Sequence, residues 1–232
     1  MTRRIALAST SFGRLKKRLW DQRGVRLQTK LKVYRAVVLS TLLYGSETWT
    51  VYRRHIRSLD QFHIRHLRNL LGIKWQDKIT NCEVLRRCEC TGIEAILISN
   101  QLRWVGHVKR MSDDRIPKQL LYGELRDGKR TQGGQRKRYK DTIKHNLKAC
   151  GIQVDDWESI VEDRQLWRAS TKSGVELFEA NRCSALQDKR AKRKARHLES
   201  DTAASSYVCA ICNRDCHSRI GLYSHARKHP AV

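Results

Sequence analysis

Tyr207-Val208-Cys209-Ala210-Ile211-Cys212-Asn213-Arg214-Asp215-Cys216 opens a stretch that closes on His225-Ala226-Arg227-Lys228-His229. Two residues separate Cys209 from Cys212, twelve separate Cys212 from His225, and three separate His225 from His229. A two-cysteine knuckle presents paired thiolates on a tight turn, and histidines four apart share one face of a helix. Four such ligands can close a tetrahedron around one structural Zn2+ ion.

The spacing is that of a C2H2-type zinc finger, a small ββα module with Cys209, Cys212, His225 and His229 as its metal ligands. Tyr207 and Leu222 occupy the aromatic and leucine positions that pack beneath such an ion. A module this short has no self-sufficient core, so the metal, contributing about 10 kcal/mol or more, supplies nearly all its stability. Cys216 stands where a large aromatic side chain would pack between turn and helix. Its thiol has two readings, as packing in a weakened mini-core or as a competing ligand. With a helix beginning near Arg219, the side chains offered to successive bases are Ser218, Gly221 and Ser224, too short for bidentate base readout. Arg219, Arg227 and Lys228 suit phosphates instead.

Upstream, apolar residues recur at three-four spacing, and proline is limited to Pro117 and Pro230 in 232 residues. The pattern predicts a mostly α chain, with helices over 4–20, 29–44, 55–71, 81–87, 93–111, 137–149 and 163–178, the last continuing through 180–197. Ile56, Leu59, Leu67, Leu70 and Leu71 form one predicted buried stripe, and Ile93, Ile96, Leu97, Leu102, Val105 and Val108 another, with Trp104 beside it. Residues 120–125 suggest a short strand, and 127–135, with Gly128, Gly133 and Gly134, a basic loop. The small polar stretch 199–206 reads as a linker. The organisation expected is a helical region over 1–180, a basic helix and linker over 181–206, and the finger over 207–232.

Lys and Arg number 48 against 23 Asp and Glu, a formal charge of +25 that calls for a polyanionic partner. Nucleic acid, whether RNA, DNA or a hybrid, is the leading class, and no window approaches a membrane span. Eight cysteines without a secretory signal point to a reducing compartment, nucleus or cytoplasm rather than secretion. Cations concentrate in Lys189, Arg190, Lys192, Arg193, Lys194 and Arg196, and around the glycine loop in Lys129, Arg130, Arg136, Lys137, Arg138 and Lys140, with Tyr139 interleaved. The first run suits nuclear import or an RNA-binding helix, the second a clamp on single strands or a solvated loop.

Four segments, Leu42-Leu43-Tyr44-Gly45-Ser46-Glu47-Thr48-Trp49-Thr50, 61–77, 101–111 with Leu102-Arg103-Trp104-Val105-Gly106-His107-Val108, and 115–124, occur in an order that resembles the downstream part of non-LTR retrotransposon polyproteins. The likeness extends over about residues 1–229. It implies a thumb and C-terminal region following a reverse transcriptase palm, with a cysteine-histidine motif at its end. Phe12-Gly13-Arg14-Leu15 onward is similar to the segment just after the palm's catalytic loop, so the resemblance places this chain downstream of the polymerase site.

Two-metal polymerases gather aspartates, and the family's marker is an aromatic residue, any residue, then Asp-Asp. Neither Asp113-Asp114 nor Asp155-Asp156 has that context, and both read as solvated turn or cap residues. No ordered set of carboxylates and histidines suggests a nuclease. No catalytic residue is therefore expected. A host-adopted zinc-finger protein acting through protein partners is the alternative. Cys82, Cys88 and Cys90 read as core or surface thiols, and His63 and His66, among arginines, as solvated or phosphate-facing.

Overall fold

The computed structural model describes residues 1–123, 132–133, 137–202, 207–216 and 218–229, with backbone alone over 197–202. The expected loop 127–135 thus falls mostly outside the described residues, as do Arg136, Lys129 and Arg130. The chain is mostly helical and forms two compact units, Met1–Asn181 and Arg182–Val232.

The first unit opens with α1 (Thr2–Arg14), α2 (Leu27–Val33) and the single turn α3 (Ser40–Leu42). The sequence pattern predicts unbroken helices here. Instead, wider π turns occupy Lys16–Trp20 and Tyr34–Leu39. At the first, the Trp20 indole stacks on Phe12 with centroids 4.9 Å apart and donates to the Phe12 carbonyl at 2.8 Å. That bond engages a main-chain acceptor near the end of α1, and the chain continues through five-residue steps such as Trp20 N–H to Leu15 O, 3.2 Å.

The helix α4 (Arg53–Leu71) ends on Gly72, whose φ of 66° is the left-handed stop that glycine tolerates. It buries Leu59, Phe62, His63, Ile64 and Leu67, while Ile56, Leu70 and Leu71 are half-buried. His63 therefore corrects the solvated reading. It is fully buried, and its Nδ1 is hydrogen-bonded to the Tyr34 hydroxyl at 3.0 Å. His66 lies between the rings of Phe12 and Phe62, at 4.0 and 4.2 Å.

Thr80 caps α5 (Asn81–Arg87), accepting from Glu83 N–H at 3.2 Å. Next comes α6 (Ile93–Lys109), the helix on which the unit is built. Ile93 and Leu97 enter one core cluster with α1 to α5. Ile98, Leu102 and Val105, on the adjacent face, enter a second with α8 (Tyr139–Ala149), α9 (Trp157–Glu162) and the start of α10 (Arg164–Thr202). The single stripe that the spacing suggests is thus two. Between them Gln101 donates to the Trp49 carbonyl, and Asn146 donates to the Gln101 side chain, each at 2.6 Å.

The expected strand at 120–125 is not formed over its described part, because α7 (Ile116–Tyr122) continues through it. Pro117 in the first turn pre-sets the helical φ, and Leu121 packs into the second cluster. Asp163 caps α10 by accepting from the Gln165 and Leu166 amides at 2.7 and 3.1 Å. Asp113, Asp114, Asp155 and Asp156 are exposed turn residues. The second unit holds the remainder of α10, an isolated antiparallel bridge between Val208 and Asp215, and α11 (Arg219–Ala226).

A methyl group on Gly106 would overlap the Trp167 indole, which is itself buried and donates to Leu102 O at 3.1 Å. Gly106→Ala should lower urea stability by about 1–3 kcal/mol through overpacking, and an unchanged midpoint would refute this account of the contact.

Burial lowers the His63 pKa from 6.5 to about 4, opposed in part by the Thr91 backbone and Glu179 and reinforced by His66 and Arg35. The depressed value means that the folded state holds this imidazole neutral. Its contribution to stability is present above pH 6.5 and is lost as the pH falls from 6.5 towards 4. Denaturant midpoints should fall across that window, at about 1.4 kcal/mol per pH unit for each proton, and His63→Leu should reduce the slope, leaving the part due to His66, which burial also lowers to about 4.

Candidate metal centre and basic surfaces

Cys209 and Cys212 meet on one turn. Asn213 N–H donates to Cys209 O at 2.8 Å, Cys209 N–H donates to Arg214 O at 2.9 Å, and Asn213 takes φ 54°, a left-handed conformation asparagine accepts more readily than most residues. Cys216 N–H donates to Tyr207 O at 3.0 Å, closing the segment beside the Val208–Asp215 bridge. Ser218 then caps α11, its hydroxyl accepting from Gly221 N–H at 3.1 Å. Past Ala226 the chain tightens, with Lys228 N–H to His225 O at 2.9 Å and His229 N–H to Ala226 O at 3.1 Å. Gly221 packs its α-carbon against the Cys216 carbonyl, where a side chain has no room.

The four ligand atoms come within 4.8 Å of one another. Cys212 Sγ lies 3.0 Å from His225 Nε2, Cys209 Sγ 3.4 Å from His229 Nε2, and the two Nε2 atoms are 3.1 Å apart. Regular tetrahedral coordination at ordinary zinc bond lengths requires about 3.3 Å between nitrogens and about 3.6 Å from sulfur to nitrogen. Two soft thiols and two imidazole nitrogens thus lie close enough together to hold one metal ion. Amide hydrogen bonds from Cys212 and Ile211 hold the Cys209 thiol below its usual range. Burial, then His229 and the nearby Arg214 and Lys228, lower His225. Both shifts favour the deprotonated, ligating forms.

Cys216 stays outside this group. Its thiol is half-buried, 3.6 Å from Arg214 O, and raised first by burial and then by the charge of Cys209. Those properties suit packing better than ligation. Tyr207 is 37% exposed and Leu222 half-buried, so the apolar support beneath the site is thin. Among the described residues no other cluster of histidine, cysteine and carboxylate side chains has metal-binding spacing. Cys88 is a buried core thiol, and Arg35 donates to the Cys88 and Glu89 carbonyls and to the Cys90 sulfur.

The cations singled out in the sequence fall in both units. Lys189, Lys192, Arg193, Lys194 and Arg196 are exposed on α10, with Arg190 half-buried among them. Arg219, Arg227 and Lys228 are exposed on and after α11, Arg227 lying 5.9 Å over the Tyr223 ring. Lys137 is tied down, donating to Val51 O at 3.0 Å and sitting over Tyr52, whereas Arg138 is exposed at the start of α8. The pattern missed Arg103 and His107 on α6, Arg110 at its C-terminal cap, and Arg164, Arg168 and Lys172 on α10, which line one groove. Their helical spacing, 103-107-110 and 164-168-172, was the available signal.

An uncharacterized protein of Caenorhabditis elegans, described by its name as transposon-derived, is 25% identical over 147 residues. The match takes in 60% of this chain and 53% of that protein, so the chain spans about half the length of its relative. No family model matches the sequence, and no solved structure matches it.

The geometry makes Cys216 dispensable for the metal. Native mass spectrometry should find one ion per chain in Cys216→Phe, with a melting temperature raised by the added packing, and none in Cys209→Ala. A loss of the ion from Cys216→Phe would make Cys216 a ligand.

Proposed function

We propose that this chain is the nucleic-acid-gripping part of a non-LTR retrotransposon reverse transcriptase. In this reading a helical, thumb-like region precedes a C2H2-type finger of ββα form that holds one structural Zn2+. The observation that carries it is the convergence of Cys209, Cys212, His225 and His229, preceded in sequence by six cations within 189–196 in a chain of charge +25. The transposon-derived relative supports the lineage.

Zinc, when bound, supplies the cross-link that a mini-core this thin lacks. The chain's own residues do the gripping. Arg219, Arg227 and Lys228 reach phosphates from the finger, and the 189–196 helix presents cations around its circumference, releasing counterions when a polynucleotide replaces them. Short side chains at Ser218, Gly221 and Ser224 leave recognition mainly to the backbone of RNA, DNA or a hybrid. The reading assigns no catalytic residue to this chain. The expected compartment is the nucleus or cytoplasm.

A second reading, a host-adopted regulatory zinc-finger protein working through protein contacts, draws on Ile211, Ile220 and Tyr223, which are 68%, 80% and 69% exposed in the second unit. Pull-down with and without nuclease separates the two, because partners held through nucleic acid are released by digestion.

Fluorescence anisotropy of the purified chain on matched RNA, DNA and hybrid should show log affinity falling linearly with log salt, at about 0.9 per phosphate neutralised on duplex DNA and about 0.7 on a single strand. A flat titration would overturn the reading.

A further inference from the structure

A groove of about 650 Å³ runs between α6 and the first turns of α10, wholly within the first unit. Arg103, Arg110, Arg164, Arg168 and Lys172 line it, against the single carboxylate of Glu176. Arg110 donates to the Val161 carbonyl at 2.7 Å, and none of the other four cations joins an ion pair among the described residues. Like charges gathered at this density repel one another unless an anion lies between them.

A second, independent observation points to a ligand. Thr171 also lines the groove, is 2% exposed, and its Oγ1 has no hydrogen-bond partner. A buried hydroxyl left unpaired costs free energy, and an acceptor brought into this cationic groove by a ligand would recover it.

Spacing selects the ligand's class. Arg164, Arg168 and Lys172 recur every four residues, about every 6 Å along the helix axis, and Arg103 and Arg110 lie two turns apart on the facing helix. Serial charges on both walls suit a polymer with serial charges better than one small anion. We infer that this groove binds a phosphodiester backbone, with the arginines and Lys172 pairing to successive phosphates and the Thr171 hydroxyl donating to a phosphate oxygen. The inference rests on the nucleic-acid reading above and names a site for it that is separate from the finger.

The test uses the full chain and a fluorescein-labelled single-stranded RNA at about 50 and 200 mM salt. Arg103→Gln/Arg168→Gln/Lys172→Gln should weaken binding at least tenfold at the lower salt and reduce the salt slope by about 2, three phosphates at roughly 0.7 each. The control, Arg14→Gln/Lys17→Gln/Arg18→Gln, removes equal charge from exposed positions outside the groove and should cost much less. Equal losses in the two triples overturn the groove while leaving general nucleic-acid binding intact, whereas a wild-type chain that ignores RNA overturns both readings. Thr171→Val should weaken RNA binding severalfold without lowering the melting temperature, and an unchanged affinity removes Thr171 from the site. Displacement of the RNA by polyglutamate at equal charge, or by millimolar inorganic phosphate, would show a groove for anions at large and reject the phosphodiester assignment.

Discussion

Everything in the larger unit depends on α6 being apolar on two adjacent faces. A helix with one greasy stripe can lie on a surface, but one that must bury Ile93 and Leu97 on one side and Ile98, Leu102 and Val105 on the next has to run between layers. The remaining helices of the unit are the material that covers it. Polar groups fix its register, because Gln101 satisfies the Trp49 carbonyl and is itself satisfied by Asn146. Sliding either neighbour would leave these amides unpaired where water does not reach. Gly106 fixes the approach distance of α10 through the Trp167 ring.

The smaller unit obeys the opposite logic. Val208, Ile211, Ile220 and Tyr223 are exposed, so little apolar area is removed from water and the fold is specified by local chemistry. A left-handed asparagine, a serine cap and a tightened turn bring four ligand atoms together. Each is a short-range choice, which is why the site could be read directly from the spacing of its residues.

That contrast explains what was legible. The four ligands and the helix start at Arg219 follow from covalent proximity, and the α5 boundaries at 81 and 87 agree with the helix expected from apolar spacing. The strand suggested at 120–125 failed because Leu120, Leu121 and Tyr122 carry no periodicity long enough to outweigh Pro117 at a helix start. His63 looked solvated because its sequence neighbours are arginines, while its partner Tyr34 lies 29 residues away. The π turns were illegible for the same reason, since they depend on where the Trp20 and Phe12 rings meet. The groove cations sit on two helices about sixty residues apart, and only the tertiary packing of Trp167 against α6 places them face to face.

The strip of Lys189, Arg190, Lys192, Arg193, Lys194 and Arg196 has a consequence for the helix that carries it. Six like charges within eight residues oppose the coil that holds them, and Asp188 is the nearest acid in sequence. Any polyanion laid along this stretch removes that opposition, so winding and capture draw on the same free energy. Charge on this stretch therefore couples the stability of the helix to whatever anion lies against it.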